Sequence, residues 1–534
     1  MARVSGVPCV LHEDDQLLVV NKPAGWNTHA PAPYAGEGIY DWLRHREPRW
    51  ASLAIIHRLD KETSGVLVFG KTELANRELS RQFEERSVRK RYLFLTDRPA
   101  PKQSVTIRSR IVRAGERYSS QKSGSDGVEA ETQFTLQGME GSHYRVLAEP
   151  KTGRTHQIRV HAAEEGFPIL GDRLYGGQPA PRVCLHACEI TLQHPETQRA
   201  VTFSAPADFA ADPGLALRQA IIDGAETIAY RLRHGAADGC AGLFIDRLGD
   251  WLIAEIEGSL DERRGAEIER LAQRLGTRGA YLKQLRRAVR STSVQKSSPR
   301  LFHGQAADPE FGITENGVRY LLRLTEGYSV GLFFDQRDNR RRLLHNHVAA
   351  GFPVFADRSR DCSVLNLFAY TCGFSVCAAK AGSAVTSVDL SKKYLEWGRK
   401  NFESNGLDPA RHEFLYGDAF DWLRRLGKRG AKFDLVILDP PTFSTSKSKG
   451  AFRAEHDYGD LVGASLPLVK AGGVIFCSTN AARLAPEAFV AEVQQAFASA
   501  GRKVMRTHYA PQPPDFPITR EEPAHLKTVW ARLN

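Results

Sequence analysis

His57-Arg58-Leu59-Asp60-Lys61-Glu62-Thr63-Ser64-Gly65 sets one carboxylate between two basic residues, on a turn that runs into the apolar stretch Val66-Leu67-Val68-Phe69. Positive charge on both sides favours the anion. A positioned, ionised Asp serves as a nucleophile or a general base. An isolated Arg-x-Asp is more often a surface ion-pair turn, so the weight falls on what surrounds it. Upstream, residues 10–21 read as two short strands around an acidic turn, closed by Lys22-Pro23-Ala24-Gly25. Downstream, Thr72 can cap a helix in which Ala75, Leu79 and Phe83 recur every fourth residue, and the basic stretch 86–91 leads into the strand Tyr92-Leu93-Phe94-Leu95. In Thr152-Gly-Arg-Thr-His-Gln-Ile-Arg-Val-His161, Arg154 and His156, then Arg159 and His161, fall at alternate positions, and an extended segment would project them onto one face. Such a face can hold phosphates or pair with a distant carboxylate.

A chain of 534 residues is too long for one core and predicts three or four units. With 42% hydrophobic and 25% charged residues it has the balance of a folded globular protein, and disorder is excluded as its main state. The net charge of +11 favours polyanionic partners. Eight cysteines include no Cys-x-x-Cys pair and no spacing suited to zinc, so reduced thiols and no metal site are expected. No signal-like or membrane-spanning apolar run is found, and a soluble cytoplasmic protein is expected.

Pro, Gly and Ala crowd residues 205–218 without an apolar period, which places a boundary near 208–215. The expected division is a first domain over 1–210, a linker over 211–227, a small basic α+β module over 228–312 and a last domain over 313–534. Between Glu269 and Asp308 stand nine Lys or Arg and no acidic residue. Lys283, Arg286, Arg287 and Arg290 are the expected RNA-binding residues, because phosphate contact needs net positive density and no special geometry.

Residues 363–534 alternate strand-like and helix-like patterns, the signature of a doubly wound parallel sheet, with strands expected at 364–368, 385–389, 414–417, 433–438 and 473–477. The first turn, from Asn366 to Ser375, has a single glycine, Gly373, and departs from the dinucleotide Gly-x-Gly-x-x-Gly pattern. Asp389 ends the second strand, where a carboxylate can take both ribose hydroxyls, and Asp418 follows the third, within reach of an adenine amino group. The fourth ends in Asp439-Pro440-Pro441-Thr442-Phe443. Two prolines fix that backbone so that its carbonyls and the aromatic ring can hold a flat base beside a methyl donor.

Five linked motifs, His57 to Gly65, Phe83 to Tyr92, Gly153 to His161, Gly171-Asp172-x-x-Tyr175-Gly176 and Leu185-His186-Ala187, together resemble the RluA-type pseudouridine synthases over residues 8–207. The resemblance implies a mixed-sheet catalytic domain that needs no cofactor. It makes Asp60 the catalytic aspartate, which attacks or deprotonates the uridine so that the base detaches, turns and rejoins through carbon. Arg58 would fill the gap left by the flipped nucleotide, Tyr92 would pack against the base and Arg159 would pair with the aspartate.

Residues 228–534, with Phe334-Asp335-Gln336-Arg337-Asp338-Asn339-Arg340 ahead of the sheet and the Asp-Pro-Pro-Thr-Phe loop within it, resemble class I S-adenosylmethionine-dependent ribosomal RNA methyltransferases of the RlmI and RlmK type. This implies a Rossmann-like fold with Asn366, Phe368 and Gly373 on the methionine side of S-adenosylmethionine, Asp389 on its ribose and Asp418 on its adenine. Asp439, Pro440 and Phe443 would form the reacting centre. Methylation at cytosine C5 needs a cysteine thiolate; counting from Gly472-Gly473, that place holds Asn480, with Cys477 inside the strand. Guanine N7, or another methylation without a nucleophile, is favoured. The expected protein is a bifunctional, multidomain α+β and α/β enzyme acting on RNA, with 23S ribosomal RNA or an assembling ribosomal particle favoured and transfer RNA open for the first domain. One silent half that only grips RNA, or a non-catalytic assembly factor, is the rival reading.

Overall fold

The computed structural model describes residues 6–100, 104–121, 126–285, 298–327, 329–357, 361–446 and 450–534. They form two compact units. The first comprises Met1–Ala30, Gly38–Trp42 and Ser52–Asp223, and the second Pro31–Glu37, Leu43–Ala51 and Gly224–Asn534.

The first unit is built on a mixed sheet of β1 (Val10–Glu13), β2 (Leu17–Lys22), β3 (Ser64–Gly70), β4 (Arg89–Thr96), β5 (Val105–Ala114), β6 (Arg117–Gln121), β7 (Val128–Glu140), β8 (His143–Pro150), β9 (Leu185–Gln193) and β10 (Ala200–Ser204). Their order is β1-β2-β3-β9-β4-β8-β7-β5-β6, with β10 paired to β9. Only β3 and β9 run parallel among these pairs, with His186 opposite Ser64 and Ala187 opposite Gly65. Gly65 has φ +120°, and a Cβ there would stand 2.2 Å from the Ala187 carbonyl oxygen. Glycine is therefore what lets the strand after Asp60 reach the centre of the sheet. Helix α1 (Glu73–Glu84) starts where Thr72 accepts a hydrogen bond from the Ala75 amide, and it buries Ala75 and Leu79 as its period predicts.

Two segments differ from their sequence reading. The run after Thr152 is not extended: α2 (Gln157–Glu164) begins there, with Gln157, Ile158, Arg159, Val160, His161 and Ala162 all buried. A helix buried on every side carries no amphipathic period, so alternation misleads. Its start is fixed by Gln157, whose Oε1 accepts from Thr152 Oγ1 (2.7 Å) and the Arg154 amide (3.0 Å). The stretch expected as a linker contains α3 (Pro213–Ile221), capped by Asp212 with Pro213 at its first turn and Leu215, Leu217 and Ile221 buried.

In the second unit, β11 (Ala229–His234), β12 (Leu243–Leu248), β13 (Trp251–Glu257), β14 (Gly279–Leu285) and β15 (Arg300–Gly304) form a sheet in that order, with α4 (Glu262–Leu275) connecting the parallel pair β13 and β14. Next comes the ribbon β16 (Phe311–Glu315) with β17 (Val318–Leu322), and then α5 (Arg337–Leu344). The large sheet contains β18 (Ser363–Leu367), β19 (Ala384–Asp389), β20 (Glu413–Tyr416), β21 (Phe433–Leu438), β22 (Val469–Thr479), β23 (Val504–Tyr509) and β24 (Lys527–Leu533). The order is β20-β19-β18-β21-β22-β24-β23. The first five strands are parallel; β24 runs antiparallel to them, and β23, paired antiparallel with β24, again follows their direction. Helices α6 (Gly373–Lys380), α7 (Lys392–Glu403), α8 (Ala419–Lys428), α9 (Ala454–Ser465) and α10 (Pro486–Ser499) accompany it. All five expected strands are present. This is the doubly wound architecture, whose carboxyl edge receives ligands where the strand order reverses, here beside β18.

Candidate functional sites

In the first unit Asp60 sits on a loop clamped from both sides. Thr28 Oγ1 donates to the Leu59 carbonyl (2.9 Å) and accepts from the Leu59 amide (3.2 Å), and the Gly25 amide donates to the Lys61 carbonyl (2.8 Å). Lys22 is fully buried beneath this loop and donates to the carbonyls of Trp26 (2.6 Å), Pro23 (3.0 Å) and Lys61 (3.2 Å). Burial pulls its ammonium down to about 7, against the attraction of Glu62 and Asp60. In the sequence this lysine is marked only by its place ahead of the Pro23-Ala24-Gly25 turn.

The Asp60 side chain keeps 27% of its exposure and lies 3.9 Å from Arg159 Nη1. Arg159 itself is held elsewhere, since its Nε and Nη2 donate to Asp172 Oδ2 (2.6 Å) and Oδ1 (2.8 Å) in a buried fork-on-fork pair. Its guanidinium also covers the Tyr175 ring at 5.1 Å. Arg159 therefore leans on Asp60 from a fixed mount, and Asp172, singled out in the sequence only as part of a motif, is that mount. Tyr92 on β4 has its hydroxyl pushed up by burial and by the Asp60 charge, which keeps it a neutral phenol. Arg58 is exposed.

At the carboxyl edge of the large sheet, the loop after β18 puts Phe368 (φ 58°), Tyr370 (φ 50°) and Cys372 (φ 63°) in the left-handed region without glycine. Each such residue costs ~1–3 kcal/mol, and strain of this kind persists where the surroundings enforce it. Here Asp389 Oδ2 accepts from the Tyr370 amide (2.8 Å), and Oδ1 accepts from the Ser391 amide (2.8 Å). Asn366 is buried and donates to Ser375 Oγ (2.9 Å); the Gly373 carbonyl accepts from the Tyr320 hydroxyl (3.1 Å). Asp418 caps α8 through the Phe420 and Asp421 amides. Leu390, beside Asp389, is 42% exposed. A carboxylate at one strand tip, an exposed apolar side chain beside it and a second carboxylate at the next tip fit the ribose and adenine of S-adenosylmethionine.

Asp439 follows β21, and its Oδ1 accepts from Gln336 Nε2 (3.1 Å), which also reaches Ser478 Oγ (2.7 Å). Gln336 is oriented in turn by Asn339 (2.8 Å). Burial pushes Asp439 up to about 6, and the nearby charge of Asp335 adds to this while Ser478 and Gln336 oppose it. Pro440 is buried, Phe443 half-buried. Cys477 is wholly buried within β22, and Asn480 is exposed just past the strand's end.

Of the expected RNA-binding residues, Lys283 is corrected. Parallel pairing of β13 with β14 sets it beside Glu255, its ammonium donates to that carboxylate at 2.8 Å, and it is buried. Arg286, Arg287 and Arg290 lie outside the described residues. Among the described residues, Glu37, His45 and His508 bring ligand-type atoms within 4.8 Å of one another, but Arg342 already sits 3.4 Å from the Glu37 carboxylate and supplies positive charge there.

The two units thus define a pseudouridine synthase site joined to a class I methyltransferase. Residues 16–164 match the family model of RNA pseudouridylate synthases, and residues 262–532 match that of S-adenosylmethionine-dependent methyltransferases. The ribosomal RNA large subunit methyltransferase I of Aeromonas salmonicida is 33% identical over 313 residues, 57% of this chain and 74% of that protein. The Escherichia coli protein of the same name is 32% identical over 312 residues, with the same coverage. A methyltransferase structure solved in complex with SAH superposes with a TM-score of 0.51 at 25% identity, covering 70% of this chain and 98% of its own. The chain belongs to the S-adenosylmethionine-dependent methyltransferase family and carries an RNA pseudouridylate synthase domain ahead of it. S-adenosylmethionine is the cofactor of the methyltransferase unit. No helix among the described residues is long and apolar enough to cross a membrane.

Proposed function

We propose that the first unit isomerises uridine to pseudouridine and that the second methylates guanine at N7, both in large-subunit ribosomal RNA of the cytoplasm. The end of β22 carries the choice of atom. A C5 methylation would need a thiolate to add to the base, whereas N7 offers a lone pair and requires only alignment. Asn480 stands exposed at the place counted for that thiol, and Cys477 is sealed inside the strand with burial pushing its thiol up. The ribosomal substrate is supported by relatives named for large-subunit ribosomal RNA.

In this reading Asp60 attacks or deprotonates the uridine, Tyr92 packs on the base, and Arg159 holds the carboxylate's orientation from its Asp172 mount. Arg58, exposed beside Asp60, is free to enter the RNA stack when the target flips out. Asn366, Phe368, Gly373, Asp389 and Asp418 hold S-adenosylmethionine, which supplies an activated methyl group. Asp439, Pro440 and Phe443 hold the flipped base flat against it.

The test maps pseudouridine and methylated bases at nucleotide resolution in ribosomal and transfer RNA from cells with and without this gene. Loss of one pseudouridine and one 7-methylguanosine from large-subunit RNA is expected. Loss of a 5-methylcytidine instead would overturn the N7 reading, and a lost pseudouridine in transfer RNA would move the first unit's substrate.

A further inference from the structure

His525 lies at the methyltransferase site, and neither its residue type nor its spacing marked it in the sequence. Strand β24 runs antiparallel to β22, with Lys527 opposite Thr479. Its first residue therefore stands at the carboxyl edge of the parallel strands, and His525, two residues earlier, lies beyond that edge. Asp389, Asp439 and Asn480 stand at the same edge.

His525 is fixed through its backbone and through one ring nitrogen. Its Nε2 meets Asp335 Oδ2 at 3.2 Å. Its amide donates to Gln512 Oε1 (3.1 Å), and its carbonyl accepts from the fully buried Lys527 ammonium (3.1 Å), which also holds the Ala481 carbonyl (2.7 Å). The rings of His234 and Phe516 flank it, with centroids 5.7 and 5.8 Å away. Asp335 in turn neighbours Gln336, the residue that reaches Asp439. Burial pushes the Asp335 carboxyl up, but the His525 hydrogen bond and charge, together with the charges of Arg340 and Arg231, outweigh it and hold it below its ordinary value. The pair thus keeps an anion opposite Nε2. Among the described residues, Nδ1 makes no hydrogen bond, and the side chain is 33% exposed.

A solvent-reachable imidazole pinned by its other nitrogen, beside the reacting centre, is built to touch substrate. We propose that His525 recognises the target base, its Nδ1–H donating to the O6 acceptor of the guanine whose N7 takes the methyl group. Guanine presents two acceptors, N7 and O6, on that edge, whereas adenine and cytosine present amino donors there. A donor on the protein therefore selects guanine and sets N7 toward the methyl donor. With Nε2–H given to Asp335, a donating Nδ1 makes the ring a cation, and the Asp335 carboxylate neutralises it. The pair adds no net charge to oppose the positive charge that develops as the N7 lone pair forms its bond to carbon. No proton has to leave the base. Asp335 and Lys527 are positioning residues for this contact.

The inference rests on the guanine N7 reading, so the experiment first locates the methyl group. The full chain is assayed on an RNA fragment carrying the methylated site, with guanine or 2-aminopurine, which lacks O6, at the target. For the native protein kcat/KM is expected to fall on the order of tenfold or more on the O6-less RNA, the loss of one charge-assisted hydrogen bond. His525→Ala should lower kcat/KM on guanine RNA by a similar factor and no longer distinguish the two RNAs, and His525→Gln, which keeps a donor, should regain part of the discrimination. Binding of S-adenosylhomocysteine by calorimetry should match the native protein in both variants, while the melting temperature falls in His525→Ala as Asp335 loses its partner and falls less in His525→Gln. A methyl group found on another atom would sink the N7 reading itself. Methylation at N7 with undiminished discrimination by His525→Ala would leave that reading standing and overturn this one.

Discussion

Asp60 and Asp439 each stand on a turn at the edge of a sheet, and their surroundings are opposite. Both are half-buried, but Asp60 has a guanidinium 3.9 Å away. Asp439 has a neutral amide as its neighbour, a second carboxylate close enough to be felt, and a carboxyl pushed up to about 6. The same residue type is set up for two tasks. A carboxylate with a guanidinium beside it can attack or take a proton, whereas one held by a neutral amide serves as a wall that accepts hydrogen bonds. The largest expected effects follow. Asp60→Asn should lower pseudouridine formation by ~10³-fold or more while methylation persists, since it removes a general base or nucleophile. Asp439→Ala should silence methylation alone. Both are read by nucleoside mass spectrometry on one RNA; loss of both marks from either variant would break the contrast.

Stability should separate the units in opposite directions. Asp172→Asn leaves Arg159 buried without its counter-charge, and breaking a buried pair from one side costs ~3–5 kcal/mol. The first unit should then melt earlier, and its activity should fall even though Asp60 is intact. Asp439→Asn should do the reverse. The folded carboxyl sits at about 6 against an ordinary 3.8, so the native state binds the proton more tightly. Its contribution is fully present below 3.8 and is lost as pH rises through 6. At pH 7 the native aspartate therefore carries a cost of about 3 kcal/mol, which asparagine removes. The variant should be inactive in methylation, more stable at pH 7, and no more stable at pH 3.5, by thermal scans at the two pH values.

What could be read from the sequence was what has a local signature. The Asp60 turn, the Thr72 cap, the five parallel strands and their acidic tips are set by neighbours in the chain, and all of those elements are present. What escaped depended on partners far away in sequence. The helix Gln157–Glu164 looked extended because every face of it is buried. The helix Pro213–Ile221 was hidden by Ala and Gly, although the Asp212-Pro213 start was a fair signal. The loop after Leu367 carries left-handed backbone on a phenylalanine, a tyrosine and a cysteine, so counting glycines understated how unusual it is. Asp335 and His525 are 190 positions apart and meet only once the antiparallel strand closes the sheet.

Lys283 gives the smallest and sharpest contrast, with the basic residues that follow it. Counted along the chain it is one of nine positive charges in a block without acids. In space Glu255 lies beside it, because parallel pairing sets the two in register. A buried ammonium already bound to a carboxylate releases no counterions from RNA. Lys283→Gln should therefore leave the salt dependence of RNA binding unchanged, while stability falls by about 1 kcal/mol as Glu255 loses its partner. Replacing Arg286, Arg287 and Arg290 together by Gln should instead flatten the plot of log affinity against log salt by roughly 0.7–0.9 for each phosphate no longer neutralised. A flatter plot for Lys283→Gln would mean that its ion pair opens toward RNA, and the whole block would then act as one surface.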